Sequence, residues 1–345
     1  MLSESDRAAG TASAGKVLWA LHHPHVRSTI YQALLAAAVG LAVWYFAANA
    51  AENLWQRQIA SGFGFLKREA GFEIGETTVL SFDGADSYLK AIAVGFLNTL
   101  RVAALAIVFS TLLGVSVGLG RLSINWLLAK LAATYVEVIR NIPLVVQLFF
   151  WYSVITETLP APAEALSPLP GVFLSNRGFA FPILVSGAPV ALEHPVLTGF
   201  GFSGGGLLSP EFAALLLGLT LYTAAFIAEI VRAGILAVER GQFEAAYSLG
   251  LNRRQVMRYI GLPQALRLIV PPVTSQYLNC TKNSSLAVAI GYPDLVSIAN
   301  TTINQTGQAI EGIAIIMVVY LTISLAISGF MNWYNRRFAL RGSQR

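Results

Sequence analysis

Charge, cysteine and histidine are scarce in this sequence, and each shortage rules something out. Only 12% of its 345 residues are Asp, Glu, Lys or Arg, against 55% hydrophobic residues. The mean hydropathy of +0.61 excludes an ordinary soluble globular domain. The lone cysteine, Cys280, excludes an internal disulfide, and its place in an apolar segment points to packing. There is no HExxH and no spaced Cys/His set, and His22-His23-Pro24-His25 stands in a tail otherwise poor in ligands, so no metal site is expected. The GxxxxGK[ST] phosphate loop is also missing, and no acid, base and metal set suggests an enzyme. Any energy for work must come from elsewhere.

What the chain has is long uncharged runs separated by arginines. Its net charge of +5 could suit nucleic acid, but the arginines cluster in loops and tails between apolar runs, a distribution that fits topology control and no nucleic-acid partner. Residues 1–27 form a tail with Arg7, Lys16 and Arg27, and the first apolar run lacks a small-residue cleavage site, so it is expected to stay as a membrane helix over 28–51. A loop over 52–87, mixed in charge and rich in glycine, lies outside. A second span covers Val102 to Gly120, with Asn98 and Arg101 near its outer start. The third must begin near Leu131 to reach the roughly twenty residues a bilayer needs, which brings Glu137 and Arg140 into the helix, three apart and able to pair. Pro143 should kink or restart it.

Residues 157–210, rich in proline and glycine, read as an outer insertion with a short embedded stretch around Phe179 to Val185, the alternative being an extra pair of spans. The fourth span runs from Phe212 to Ala228 and ends in Glu229 and Arg232. These repeat the spacing of Glu137 and Arg140, and both pairs can serve helix-end neutralisation or a gate or packing network. Pro271-Pro272 and Lys282 interrupt the fifth span, which reads as broken or tilted along a cavity. Its polar run Asn279 to Ser285, with Lys282, Ser284 and Ser285, could supply groups to a zwitterion or hydrogen bonds between helices; Tyr222 carries the same ambiguity. Pro293 and Asp294 open an outer loop, Gly312 to Asn335 forms the last span, and 336–345 is a basic tail. Five arginines between 233 and 267 put that stretch inside. Six spans with both termini cytoplasmic satisfy the loop charges.

Between spans four and five lies Glu244 to Pro263, too short and charged to cross a bilayer. Phe243, Ala246 and Tyr247 fall at i, i+3, i+4, and Val256, Met257 and Ile260 form a second stripe, which predicts two short amphipathic helices. Gly250 suits a left-handed position closing the first, Asn252 can cap the second, and Gly261 with Pro263 should stop it.

Here the residues carry a resemblance. Glu244-Ala245-Ala246, Gly250, Ile260 and Leu262-Pro263 match the spacing of the EAA loop of ABC-importer permeases. Gly95 to Leu100, Arg140 to Leu144, Tyr222 to Gly234, Gly241-Gln242 and Lys282 to Leu286 look like its polar amino-acid uptake branch, over about 88–335. The extra first span and the insertion are similar to the general L-amino acid permease subgroup. The resemblance implies an all-α integral membrane protein with the type I ABC-importer permease fold, about six transmembrane helices, or eight if the insertion holds a pair, and a cytoplasmic coupling helix. It implies the bacterial inner membrane, amino-acid substrate delivered by a periplasmic binding protein, ATP used by partner ATP-binding subunits with no cofactor on this chain, and a second permease subunit, a heterodimer being favoured. The reading from another class is an autonomous channel or secondary transporter using the broken fifth span.

Overall fold

The computed structural model describes residues 24–56, 61–185, 191–199 and 201–338. The expectations for the tails over 1–23 and 339–345, including Arg7, Lys16, His22 and His23, lie outside the described residues. The chain divides into two units, the first ending at Ser61. In it, α1 (Pro24–Gln56) opens on a proline, which costs nothing at a helix start because that N–H has no helical acceptor. Between Val26 and Asn53 nearly all its apolar side chains are exposed, and this stretch is long and apolar enough to cross a membrane. Such a surface suits lipid.

In the second unit, α2 (Tyr88–Gly120) and α5 (Pro210–Leu236) run side by side in the same direction. Ser87 caps the first by accepting from Lys90 N, and Ser209 caps the second by accepting from Phe212 N. Just ahead of α2, the Lys90 ammonium bonded to Asp86 at 2.7 Å holds that carboxyl below the usual carboxylate range. The two helices approach closely because α2 presents Ser110, Gly114 and Gly118 one turn apart. A Cβ on Gly114 would lie 2.7 Å from Ile227 Cβ, and one on Gly118 2.8 Å from Ala228 O. This small-residue seam is how membrane helices gain van der Waals contact where lipid offers no hydrophobic drive.

Between them come α3 (Trp126–Asn141), α4 (Leu144–Ser153) and a π turn (Val154–Thr158). Pro143 restarts the helix, as expected, with a bend of 104°. Gln147 makes the bend affordable to the backbone: its Nε2 donates to Ile139 O and Ile142 O, both at 2.9 Å. Tyr135 OH ties α3 to Leu221 O at 2.7 Å.

The insertion holds eight short strands, and the option of an extra helix pair is not realised among the described residues. Strands β1 (Leu166–Leu169), β2 (Val172–Ser175), β3 (Gly178–Phe181) and β8 (Gly206–Leu208) form an antiparallel sheet in that order. Two ribbons pair β4 (Ile183–Val185) with β5 (Ala191–Glu193), and β6 (Val196–Thr198) with β7 (Gly201–Ser203). The stretch expected to be embedded around Phe179 to Val185 is therefore strand. Proline removes helical bonds throughout this segment, and Gly171, Gly204 and Gly205 take positive φ at its turns.

After α5 come α6 (Arg240–Ser248), α7 (Arg253–Val256), a π turn (Met257–Gly261), α8 (Leu262–Asn283) and a 3-10 turn (Ser284–Ile290). Then α9 (Leu295–Thr306) and α10 (Ala309–Phe338) follow. Where a loop was expected from Pro293, Asp294 N-caps α9 through Ser297 N at 2.8 Å, and Gly307 ends it at φ 72°. Among the described residues, counting α1, four helices are long and apolar enough to cross a membrane. Each of two bent pairs can add one crossing, which gives up to six.

Replacing Gln147 with Leu should leave two carbonyls at the bend without donors and cost about 1–3 kcal/mol, the range for buried unsatisfied groups. The thermal midpoint of the detergent-solubilised protein should fall; an unchanged midpoint would show that the bend does not need this amide.

Candidate functional site

The 240–263 segment is built around one left-handed residue. Gly250 has φ 80°, and no atom lies within 4 Å of where its Cβ would stand. A side chain there meets a backbone penalty and no clash. The turn lets Gly250 N bond Tyr247 O at 2.9 Å and Leu251 N bond Ala246 O at 3.2 Å, closing α6. Asn252 then caps α7 in a capping box: its Oδ1 accepts from Gln255 N at 3.0 Å, while Gln255 Oε1 accepts from Asn252 N at 2.9 Å.

One expectation is corrected. Gly261 and Pro263 do not stop the second helix, which passes through the π turn straight into α8, so that Arg253 to Ile290 is one continuous element. Leu262 N–H bonds Met257 O, five residues back, and Pro263 sits in the first turn of α8 where it lacks no partner. Gly261 serves packing: a Cβ there would lie 3.1 Å from Phe243 Cε1 and 3.2 Å from Met257 Sδ. Phe243 thus pins α6 across the turn, within a cluster of Val238, Ala265 and Ile269. Ala246 and Val256 are buried, while Glu244, Ala245, Tyr247 and Leu249 face out and Ile260 and Pro263 are half-buried. Leu262 is 48% exposed. Arg253, Arg254 and Arg258 add positive charge to this exposed surface.

The two Glu/Arg pairs differ in fate. Glu229 takes Arg232 bidentately, at 2.6 and 3.2 Å, and also accepts from Arg121 at the end of α2. A carboxylate between two guanidiniums joins α2 to α5 where the 240–263 segment begins. Among the described residues no ion pair joins Glu137 to Arg140; the Arg140 guanidinium lies over the Phe226 ring at 4.9 Å. In place of the pairing expected there, an exposed flat cation stacks on a ring of α5.

Of the polar residues proposed for a path, two remain open to it. Asn279 and Lys282 lie on the exposed side of α8 with Ser275, at i, i+4, i+7, and among the described residues no ion pair engages Lys282. Ser284 is fully buried and donates to Thr281 O, and Ser285 donates to Lys282 O, both at 2.7 Å, so these hydroxyls close the helix end. Tyr222 is half-buried with its ring 5.0 Å from Phe226. On the opposite side of α8, Ile269 fills the space that Gly234 leaves, and Tyr277 OH meets Thr111 Oγ1 at 2.9 Å. A polar stripe on an apolar span faces water or protein, because lipid cannot solvate it.

Helices long and apolar enough to cross a membrane, a bent pair with a polar stripe and an exposed basic helix that runs into it fit a membrane transport subunit. Among the described residues no metal-binding cluster is present. The chain belongs to the family described as binding-protein-dependent transport system inner membrane component, which matches residues 110–340. It is similar to the general L-amino acid transport system permease protein AapQ of Rhizobium johnstonii, 43% identical over 93% of this chain and 94% of that protein. The putative amino-acid ABC transporter permease protein YhdX of Escherichia coli is 46% identical, over 92% and 95%. A crystal structure of an amino acid ABC transporter with histidines superposes with a TM-score of 0.54 at 28% identity, over 72% of this chain and 95% of that one. The type I ABC-importer permease fold expected from the sequence is thereby established, and the autonomous channel loses its support.

Glu229→Ala should leave Arg121 and Arg232 facing each other and destabilise the fold by about 1–3 kcal/mol. Glu137→Ala should stay within roughly 0.5 kcal/mol, as surface changes do. Equal effects in thermal unfolding would contradict this difference.

Proposed function

We propose that this chain forms the membrane path of a bacterial importer for amino acids, with ATP hydrolysed on separate subunits. The carrying observation is that the second helix of the exposed, basic pair at 240–261 continues from Arg253 without interruption into the span bearing Asn279 and Lys282. The named activities of AapQ and YhdX, matched over nine tenths of both chains, support amino acids as cargo. The missing phosphate loop supports an ATPase supplied by another chain.

In this reading Glu244, Ala245, Ala246, Gly250, Ile260, Leu262 and Pro263 form or brace the surface on which an ATP-binding subunit docks. The segment is cytoplasmic, as are both termini, and the bacterial inner membrane is the site of action. The 52–87 loop and the 157–210 insertion face the periplasm, where a binding protein delivers substrate, and a homologous second permease completes the path as a heterodimer. This chain itself carries no cofactor. The Lys282 ammonium supplies charge-assisted donors for a substrate carboxylate and the Asn279 carbonyl an acceptor for its ammonium. Closure of the ATPase moves the polar stripe only if its contacts with the 240–261 segment differ between the two states, since a partner shifts an equilibrium only by its differential affinity.

Proteoliposomes holding the full set of subunits test both parts. Gly250→Val, which forces a β-branched residue into positive φ at a cost of about 1–3 kcal/mol, should abolish ATP-driven uptake while spans still insert. Normal uptake would sink the docking assignment. Lys282→Ala should weaken uptake without loss of assembly, whereas lost assembly with unaltered transport per complex would make Lys282 a packing residue.

A further inference from the structure

The end of the second unit away from the 240–263 segment carries a polar knot that the reading above does not use. The element Arg253 to Ile290 stops at Gly291, which has φ 79°, and the chain restarts at Leu295. In between, the N–H groups of Gly291, Tyr292 and Asp294 bond nearby carbonyls, and α2 supplies partners for Pro293 O and Leu295 N. Asn98 Nδ2 donates to Pro293 O at 3.0 Å, and Leu295 N donates to Thr99 Oγ1 at 3.0 Å. Gly95 lets the two approach, for a Cβ there would lie 3.0 Å from Asp294 O.

The same Asn98 amide also donates to Glu76 O at 2.9 Å, so one side chain holds both the break and the segment before α2. The Glu76 carboxylate is paired with Arg101 at 2.7 Å, one turn beyond Asn98. Glu76 is 5% exposed and Arg101 18%. The guanidinium lies over the Phe212 ring of α5 at 4.3 Å, and that ring is 5.8 Å from Tyr292 in the break. The knot therefore closes on itself: segment, Arg101, Phe212, break, Asn98 and segment again. On its other side, Gly75 to Thr78 borders a cleft of about 430 Å³ shared with Ser175, Gly178, Leu208 and Ser209.

We propose that Glu76 and Arg101 are a positioning pair that holds the break at 291–294 against α2, and that transport requires this pair to separate. The proposal rests on the transport reading above. A buried ion pair is suited to such a role because removing one partner strands the other charge out of water. The knot is thus stable when closed, or when both groups are hydrated, and unfavourable in between. Two discrete arrangements of this kind make a switch, and the element they bias is the far end of the helix that begins at the docking surface.

The test uses the assembled transporter in lipid nanodiscs, with its ATPase subunits, second permease and binding protein. Glu76→Gln keeps the shape and removes the charge. It should raise the ATPase rate measured without binding protein by about tenfold, the scale of one charge-assisted bond in a two-state equilibrium, and so shrink the stimulation that binding protein adds. A purely structural pair would lower both rates together. In the opposite direction, Glu76→Cys joined to Arg101→Cys by a short bifunctional thiol reagent after assembly should abolish stimulated ATPase and uptake. This arm also decides the matter if Glu76→Gln fails to assemble. A wild-type stimulation ratio retained in Glu76→Gln, or full uptake by the cross-linked complex, would overturn the proposal. Absence of any stimulation in the wild-type complex would instead refute the transport reading on which it rests.

Discussion

A backbone that breaks its helix inside lipid exposes carbonyls and amides that no water can reach, and this constraint governs where the chain can bend. Both breaks in the second unit are closed by side chains from the protein itself. At Ile142-Pro143 the amide of Gln147 takes two carbonyls. At 291–294, Asn98 takes Pro293 O, Thr99 accepts from Leu295 N, and Asp294 caps the restarting helix. The π turn at Met257–Gly261 solves a related problem without a side chain, since its longer ring carries the helix up to Pro263 with the backbone still bonded.

These closures determine what can move. Between the π turn and Gly291 there is no break, although Pro271 and Pro272 each remove a rung of the ladder within α8. The helix is held on one side by Gly234 against Ile269 and by Thr111 with Tyr277, while Ser275, Asn279 and Lys282 face away. The frame against which it would move is α2 with α5, joined by the glycine seam and by Glu229 between Arg121 and Arg232. The basic turns from Arg253 and the polar stripe thus lie on one element that leads to the clamped break, beside the α2 and α5 pair.

Local chemistry was legible in the sequence and long-range chemistry was not. Gly250 and Asn252 announce their turn and cap because those conformations depend on the residue itself. Pro143 likewise announces a restart. Pro263 misleads because a π turn shifts the register ahead of it, where Phe243 packs on Gly261. The i, i+3 spacing of Glu137 and Arg140 suggests a pair, yet Arg140 lies over the Phe226 ring, while Arg121 reaches Glu229 across 108 positions with no trace in the local pattern. The helix α9 is rich in Thr and Asn and reads as loop, though Asp294 before it and Gly307 after it were usable signals. Proline and glycine in the insertion argue against helix without revealing that β3 pairs with β8.

The central claim is that the exposed basic helix starting at Arg253 and the approach to the break belong to one stiff element. Spin labels at Arg254→Cys and Val288→Cys, two exposed positions near its ends, measure this directly in the assembled complex. Their separation, roughly 50 Å at 1.5 Å per residue, should stay the same with and without ATP. The distance from Val288 to a third label at Leu89→Cys, at the start of α2, should change. A Val288 to Leu89 distance that holds while the Arg254 to Val288 distance changes would mean that the helix flexes at Pro271-Pro272 and transmits nothing to the break.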